Sequence, residues 1–247
     1  MQRTLRTLGL STLALIASGA TLQKPEPAAR IVDAATGEPL RAQTIPSRSE
    51  RVIRAPGYQD VRIVTSAGPG TKHLPRGPRE VALCKLGASD RDGDGLCDAA
   101  EQRYRTLADD ADTDGDAISD RIEIYGEALP DGSAFSPEAY GASPGHRDIF
   151  VYVNWTDRWP AKQAALDMVV AAFQRAPGKN PDGTTGIQLH FILGGEITYA
   201  DDLPYTEEGL TPLRNQHLPW KVSFPLHYLI FSDHLSTGDG LITTWYW

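Results

Sequence analysis

The chain has few cysteines, and this scarcity limits how its fold can be cross-linked. Cys84 and Cys97 are the only two among 247 residues. In an exported protein, two cysteines thirteen positions apart favour one intramolecular disulfide, whereas in a reducing compartment they would be two buried thiols. The sequence alone leaves both states open, and we expect the disulfide if the chain is exported.

Excess basic charge and long apolar runs are also absent. The formal net charge is −8, which argues against nucleic acid as a partner because a phosphate backbone is bound by a basic surface. The apolar run at residues 8–17 is too short to span a bilayer, and no later run is long enough. A membrane span is therefore not expected.

The first twenty residues have the features of a signal peptide. Arg3 and Arg6 precede the apolar run, and the small residues Ser18-Gly19-Ala20 follow it. We therefore expect residues 1–20 to be removed and the mature protein to be secreted or periplasmic. The competing interpretation is a buried N-terminal helix.

The motifs of several enzyme classes are missing. No His-Glu-x-x-His occurs, and there is no phosphate loop or dinucleotide fingerprint. His190, His227 and His234 lie in or beside predicted strands, where three histidines could collect a zinc ion. Their spacing does not match a zinc-ligand pattern, so the sequence assigns no catalytic residue.

Residues 30–86 contain short segments typical of strands, separated by turns. The segments are 30–33, 51–54, 61–64 and 81–83, of which 51–54 and 61–64 alternate, and the series predicts strands of a small β-sandwich. This region resembles the carboxypeptidase regulatory-like sandwich, through Gly37-Glu38-Pro39-Leu40 and Ala55-Pro56-Gly57-Tyr58. That resemblance implies a structural or adhesive module without a catalytic group.

The segment 88–127 holds much of the acidic charge, and its first loop, residues 90–101, matches the calcium-loop template. Carboxylates fall at positions 1, 3, 5, 9 and 12, with Gly95 at position 6. Calcium takes six to eight oxygen ligands, and the backbone carbonyl of position 7 supplies one of them. The predicted ligands are Asp90, Asp92, Asp94, Leu96, Asp98 and Glu101.

The second loop, residues 112–123, repeats the pattern 22 positions later. The predicted ligands are Asp112, Asp114, Asp116, Ile118, Asp120 and Glu123. Ala117 stands where the first loop has Gly95, and a positive φ there should cost alanine on the order of 1 kcal/mol. We therefore expect the second site to bind calcium more weakly. The competing interpretation of both loops is a solvated acidic linker.

Only ten residues separate the two loops, too few for the helices of paired EF-hands. The Asp-x-Asp-Gly-Asp pattern instead resembles thrombospondin type 3 repeats, which implies a calcium-wrapped cable with little hydrophobic core. Dockerins also use two 22-residue calcium segments and would imply a calcium-dependent anchor. The Gln102-Arg103-Tyr104-Arg105 stretch matches the dockerin helix poorly.

Residues 146–247 change to an α/β character after a proline- and glycine-rich stretch at 129–145. Apolar patterns predict strands at 148–154, 187–193 and 226–231 and a helix at 161–174. Residues 146–231, with His146-Arg147-Asp148-Ile149-Phe150-Val151 at their start, resemble the N-terminal part of a metzincin-like zinc protease domain. That resemblance implies zinc only if the natural chain continues into a zinc-binding helix.

Together these features predict a multidomain α+β protein: a small β-sandwich, a calcium-loop connector and an incomplete α/β, metzincin-like domain. The expected function is that of a secreted calcium-binding modular protein whose loops stiffen the connector. Calcium is the expected cofactor, and an extracellular or cell-surface protein is a further expected partner. The two alternatives are the truncated N-terminal part of a secreted zinc metalloprotease and a dockerin-like anchoring module.

Overall fold

The computed structural model describes residues 29–66, 77–156, 160–198, 206–219, 221–232 and 240–244. Within these ranges the chain has a mixed α+β fold with four small sheets. No helix in the described ranges is long and apolar enough to cross a membrane. The predicted signal peptide, residues 1–20, and His234 lie outside the described residues.

The N-terminal part contains two sheets built from five short strands. The strands are β1 (Arg30–Asp33), β2 (Gln43–Pro46), β3 (Glu50–Arg54), β4 (Val61–Val64) and β5 (Glu80–Leu83). β1 and β5 pair in parallel, whereas β2, β3 and β4 form an antiparallel sheet in that order. The two sheets share one core, because Ile53 and Ile63 of the antiparallel sheet cluster with Val81 and Leu83 of the parallel pair.

The acidic segment contributes two short helices. They are α1 (Asp98–Tyr104) and α2 (Asp120–Tyr125), and each begins at position 9 of an acidic loop. No helix precedes the first loop in the described part of the chain, as the sequence predicts. Further along lie β6 (Glu127–Ala128), β7 (Ala134–Phe135) and a 3-10 helix (Pro137–Tyr140).

The C-terminal part is a four-stranded sheet with two helices. Its elements are β8 (Asp148–Trp155), α3 (Gln163–Phe173), β9 (Gln188–Glu196), α4 (Glu207–His217), β10 (Leu226–Ser232) and β11 (Gly240–Thr244). The strand order is β11-β10-β8-β9, with β8 parallel to both β9 and β10. Strand β8 is therefore central, and its first residue, Asp148, lies at the end that faces the acidic segment, since its backbone N–H donates to Asp116 Oδ2 over 2.7 Å.

Cys84 and Cys97 form a disulfide, with Cα atoms 6.0 Å apart. The bond joins the residue after β5 to the first acidic loop, just before α1. Sequence spacing predicted this pairing, and the structure confirms it. The first loop is therefore tied covalently to the N-terminal part of the molecule.

The expectation of a connector with little hydrophobic core is wrong. Leu96 and Ile118, at position 7 of the two loops, are each 2% exposed. Leu96 belongs to the core of the N-terminal sheets, whereas Ile118 belongs to the core of the C-terminal sheet. Helix α2 contacts both, through Tyr125 on the first core and Ile122 on the second. The expectation failed because the few apolar side chains of each loop pack into cores that the flanking sheets mostly build.

Candidate metal centre

The first acidic loop is folded around its own aspartates. Asp90 Oδ1 accepts the backbone N–H of Gly93 over 2.8 Å, and its Oδ2 accepts that of Gly95 over 3.2 Å. Asp90, Asp92 and Asp94 each place a carboxylate oxygen within 4.8 Å of the others. Oxygens bound to one Ca²⁺ ion lie up to roughly 5 Å apart, since each lies about 2.4 Å from the ion. The three carboxylates can therefore share a calcium ion.

The second loop repeats this geometry almost bond for bond. Asp112 Oδ1 accepts the N–H of Gly115 over 2.9 Å, and its Oδ2 accepts that of Ala117 over 2.7 Å. Asp112, Asp114 and Asp116 again place oxygens within 4.8 Å of one another. The 22-residue repeat in sequence is thus a repeat in three dimensions, with position 1 of each loop organising the backbone of positions 4 and 6.

Position 6 has a left-handed backbone in both loops. The φ angle is +98° at Gly95 and +72° at Ala117. Within the described residues Ala117 is one of two non-glycine residues with a positive φ, the other being Arg105. The backbone strain predicted for Ala117 is therefore present, at a cost of about 1 kcal/mol.

The two position-12 glutamates are buried without a hydrogen-bond partner. Glu101 is 0% exposed and Glu123 is 1% exposed, and neither carboxylate oxygen of either residue is bonded. Both oxygens of the buried Asp114 are likewise unpartnered. A buried carboxylate is costly unless it is paired or binds a metal, and most buried polar groups have a partner. These side chains therefore need a cation, or a proton, to be stable.

The pKa values of the loop carboxylates are also consistent with a missing positive partner. Burial, reinforced by neighbouring carboxylates, raises the pKa of Glu101 to about 8 and that of Asp114 to about 8. The same causes raise the pKa of Glu123 to about 11. Burial also raises the pKa of Asp116 to about 7 and that of Asp120 to about 6. Positive charge among these groups would oppose every one of these shifts.

The position-9 aspartates are bonded within their own loops. Asp98 Oδ1 accepts the N–H of Arg91 over 3.2 Å, and its Oδ2 lies 3.2 Å from Arg91 Nε. Asp120 Oδ1 accepts the N–H of Thr113 over 3.0 Å, and its Oδ2 accepts the hydroxyl of Thr113 over 2.7 Å. The structure thus gives Asp98 and Asp120 a loop-closing role, whereas it brings the residues at positions 1, 3 and 5 together as a cluster.

One acidic residue near the second loop was missed by sequence reasoning. Asp148, 2% exposed, lies with Asp116 and Glu123 in a group whose carboxylate oxygens are within 4.8 Å of one another. It follows Asp116 by 32 positions and was interpreted only as the first residue of a strand. The sequence feature that could have identified Asp148 is its position as a charged residue directly before the apolar run of β8.

The histidines considered for zinc are placed differently from one another. His190 Nε2 hydrogen-bonds Asp148 Oδ1, and its ring stacks on Phe150 with centroids 4.6 Å apart. His227 lies in β10, where burial lowers its pKa. Among the described residues, the side-chain groups close enough to hold a metal contain only aspartate and glutamate. Any metal ion held by these groups would therefore have oxygen ligands.

Comparison with protein-family models, with curated proteins and with solved structures gives no match for this chain.

Proposed function

We propose that this is a secreted, modular calcium-binding protein in which loops 90–101 and 112–123 each bind Ca²⁺ and stiffen the connection between the N-terminal sheets and the C-terminal α/β part. One observation carries the proposal: the glutamate at position 12 of each loop is buried with both carboxylate oxygens unpartnered. In calcium loops this residue supplies two oxygens to the ion.

The type of donor atom favours calcium over other cations. Each loop offers several carboxylates and a position-7 carbonyl, with no thiolate or imidazole in the groups. Hard oxygen ligands suit Ca²⁺ and Mg²⁺, whereas zinc prefers cysteine and histidine. Mg²⁺ requires a small octahedral shell and retains water, whereas a loop with five carboxylates, one of them a glutamate that can bind through both oxygens, suits the larger ion.

The position of the loops between two cores supports the stiffening role. Leu96 anchors the first loop in the N-terminal core and Ile118 anchors the second in the C-terminal core. Position 7 places its side chain in a core and offers its carbonyl to the ion. Bound calcium would supply the positive charge that holds the mutually repelling carboxylates together. Each loop would then hold its neighbouring core in a fixed place relative to the other.

The disulfide supports the proposed export. Disulfides persist in oxidising compartments, and Cys84–Cys97 lies directly beside the first loop. The proposal includes cleavage after Ala20, a secreted or periplasmic location, and an extracellular or cell-surface protein as partner. Calcium concentrations outside the cell also suit the affinity of extracellular modules, about 10⁻⁴–10⁻³ M.

Calorimetric titration of the full chain with calcium chloride, after metal removal with EDTA, tests the proposal. We expect two binding events, one lost in Glu101→Gln and the other in Glu123→Gln. Glu38→Gln is the matched control, because Glu38 is an exposed glutamate outside the acidic segment. A wild-type chain that shows no calcium-dependent heat up to about 10 mM, well above that affinity range, would overturn the proposal.

A further inference from the structure

The carboxylates of Asp116, Glu123 and Asp148 converge although they come from two parts of the fold. Asp116 and Glu123 belong to the second acidic loop, whereas Asp148 begins β8. One oxygen of each lies within 4.8 Å of one oxygen of the other two. Glu123 is 1% exposed and Asp148 is 2% exposed, so this group is largely shielded from water.

An independent feature shows that the group needs a ligand. Both oxygens of Glu123 are buried and lack any hydrogen-bond partner. Two further carboxylates lie close to it, and within the part of the chain that the structure describes the one ion pair to any of the three joins His190 to Asp148. Three converging negative groups with an unpartnered member are stable only if a cation or protons lie among them.

We propose that Asp148 is a calcium ligand, and that Asp116, Glu123 and Asp148 form a cation site joining the second acidic loop to the C-terminal sheet. The inference rests on the proposed function and adds a ligand from outside the loop. Calcium bound there would contact the repeat and the central strand at once, so the ion itself would fix the C-terminal part against the connector.

The surroundings of Asp148 hold its carboxylate in place for this role. His190 Nε2 hydrogen-bonds its Oδ1, and the backbone N–H of Ser143 donates to its Oδ2 over 3.2 Å. Each oxygen accepts one bond and keeps a further lone-pair direction for a metal. Hydrogen bonds to the ligands of a metal orient them and are part of the design of such sites.

Hydrogen bonds between side chains and backbone hold the second loop against the start of β8. The N–H of Asp148 donates to Asp116 Oδ2 over 2.7 Å, and Arg147 Nε donates to the carbonyl of Asp114 over 2.9 Å. Asp116 Oδ1 meanwhile accepts the N–H of Ile118 over 2.8 Å. The position-5 carboxylate thus links its own loop to β8, and the side chain of the residue that it contacts is itself acidic.

The position-5 carboxylate of the first loop also accepts a backbone N–H from outside its loop, but the residue that donates it has a basic side chain. Asp94 Oδ2 accepts the N–H of Arg121 over 3.2 Å, the counterpart of the bond from Asp148 to Asp116. A guanidinium cannot bind calcium, so the first loop gains no outside ligand at this point. The first loop is therefore an internal control for the role of Asp148.

Calcium titration of the metal-stripped full chain with Asp148→Asn tests the inference, because asparagine keeps the size and the backbone N–H but removes the charge. We expect the event that Glu123→Gln abolishes to weaken by about tenfold or more, and the event that Glu101→Gln abolishes to stay unchanged. Asp109→Asn, which neutralises an exposed aspartate of the same segment, should alter neither event.

Two failures are distinguishable in this experiment. A wild-type chain without calcium binding would sink the proposed function, whereas two wild-type events that Asp148→Asn leaves unchanged would overturn only the role of Asp148. Thermal unfolding separates ligation from folding. Asp148→Asn should match or exceed the wild-type melting temperature in EDTA, since it removes a repelling charge, and should show a smaller increase on adding calcium. An equal loss of melting temperature with and without calcium would indicate a structural role alone and refute the inference.

Discussion

The two acidic loops have the same backbone frame but are held in the molecule by different means. The first loop is joined to the N-terminal part by the Cys84–Cys97 disulfide and by Leu96 in its core. The second has no such bond; Ile118 fixes it in the C-terminal core, and polar contacts join Asp116 to β8. If both loops bind calcium as proposed, the two sites should therefore depend on the metal to different degrees, because a disulfide fixes the first and the proposed shared ligands fix the second.

The outside neighbour of each loop also differs in charge. Position 5 of the first loop meets Arg121, whereas position 5 of the second meets Asp148. An added carboxylate increases repulsion in the metal-free protein and attraction for a cation. The strain at Ala117 and the proposed ligand Asp148 should thus act on calcium binding by the second loop in opposite directions, and the order of affinity of the two loops should depend on which effect is larger.

Calcium removal should have the largest effect on stability. At free calcium about 100 times each Kd, each site would contribute about 2.7 kcal/mol to the free energy of unfolding, and both together about 5 kcal/mol. Urea unfolding in calcium and in EDTA measures the difference. Glu101→Gln and Glu123→Gln should each retain roughly half of it, and Glu38→Gln all of it. Identical unfolding curves in calcium and EDTA would contradict the claim that bound calcium stabilises either loop.

Loss of the disulfide should be the next largest effect and should fall on the first loop. Cys84→Ala combined with Cys97→Ala should lower the free energy of unfolding by roughly 3 kcal/mol, as expected for a closed loop of about this size. The calcium event of the first loop should weaken, while that of the second is retained. Counting free thiols on the unreduced, denatured wild type should give none. Two titratable thiols would show that no disulfide fixes the first loop.

Much of this arrangement could be predicted from sequence, because it depends on local pattern. Alternation predicted β3 and β4, short segments bounded by turns predicted β1 and β5, and the acidic template predicted the positive φ at Ala117. Strand β2 was missed because all four of its residues are exposed, and Gln43-Thr44-Ile45-Pro46 shows no apolar alternation. Helix α4 was missed because Gly209 and Pro212 interrupt its pattern, although Thr206 caps it by accepting the N–H of Gly209.

The ligand role proposed for Asp148 could not be predicted from local pattern. It depends on a contact with Asp116, 32 positions earlier, which exists only after β8 has docked against the acidic segment. For the same reason, the sequence does not show that the two loops pack into different cores. Sequence spacing identifies a repeat, whereas only the tertiary structure shows what lies outside it.

Asp33 offers a contrast with the loop carboxylates, because it is buried and fully partnered. Its Oδ2 accepts the hydroxyl of Tyr58 over 2.7 Å, and its Oδ1 accepts the N–H of Thr36 over 2.8 Å. The bond from Tyr58, followed by that from Thr36, lowers the pKa of Asp33 to about 2. A lowered pKa stabilises the fold above the unfolded value of 3.8, and this contribution is lost as pH falls from about 4 towards 2.

Asp33→Asn should therefore reduce stability at neutral pH by roughly 1–2 kcal/mol, after allowance for solvent screening, and flatten the pH dependence between about 4 and 2. Unfolding of the metal-stripped protein in calcium-free buffer across this range isolates Asp33 from the proposed metal sites. Tyr58→Phe, which removes the largest cause of the shift, should flatten part of the same range. Unchanged pH dependence in Asp33→Asn would show that the hydrogen bonds of Asp33 do not lower its pKa in the folded protein.

Exchanging the residues at position 6 should give the smallest effect and isolates backbone strain from ligand number. Ala117→Gly should strengthen the second calcium event by about fivefold, because glycine adopts the positive φ without the cost of about 1 kcal/mol. Gly95→Ala should weaken the first event by a similar factor. Its added Cβ would also lie 3.0 Å from Cδ of Arg121, a flexible side chain that can shift. Calorimetry on both variants and on the double exchange measures the effect. If Ala117→Gly leaves the second event unchanged, strain does not set its affinity, and Asp148 remains as the difference between the loops.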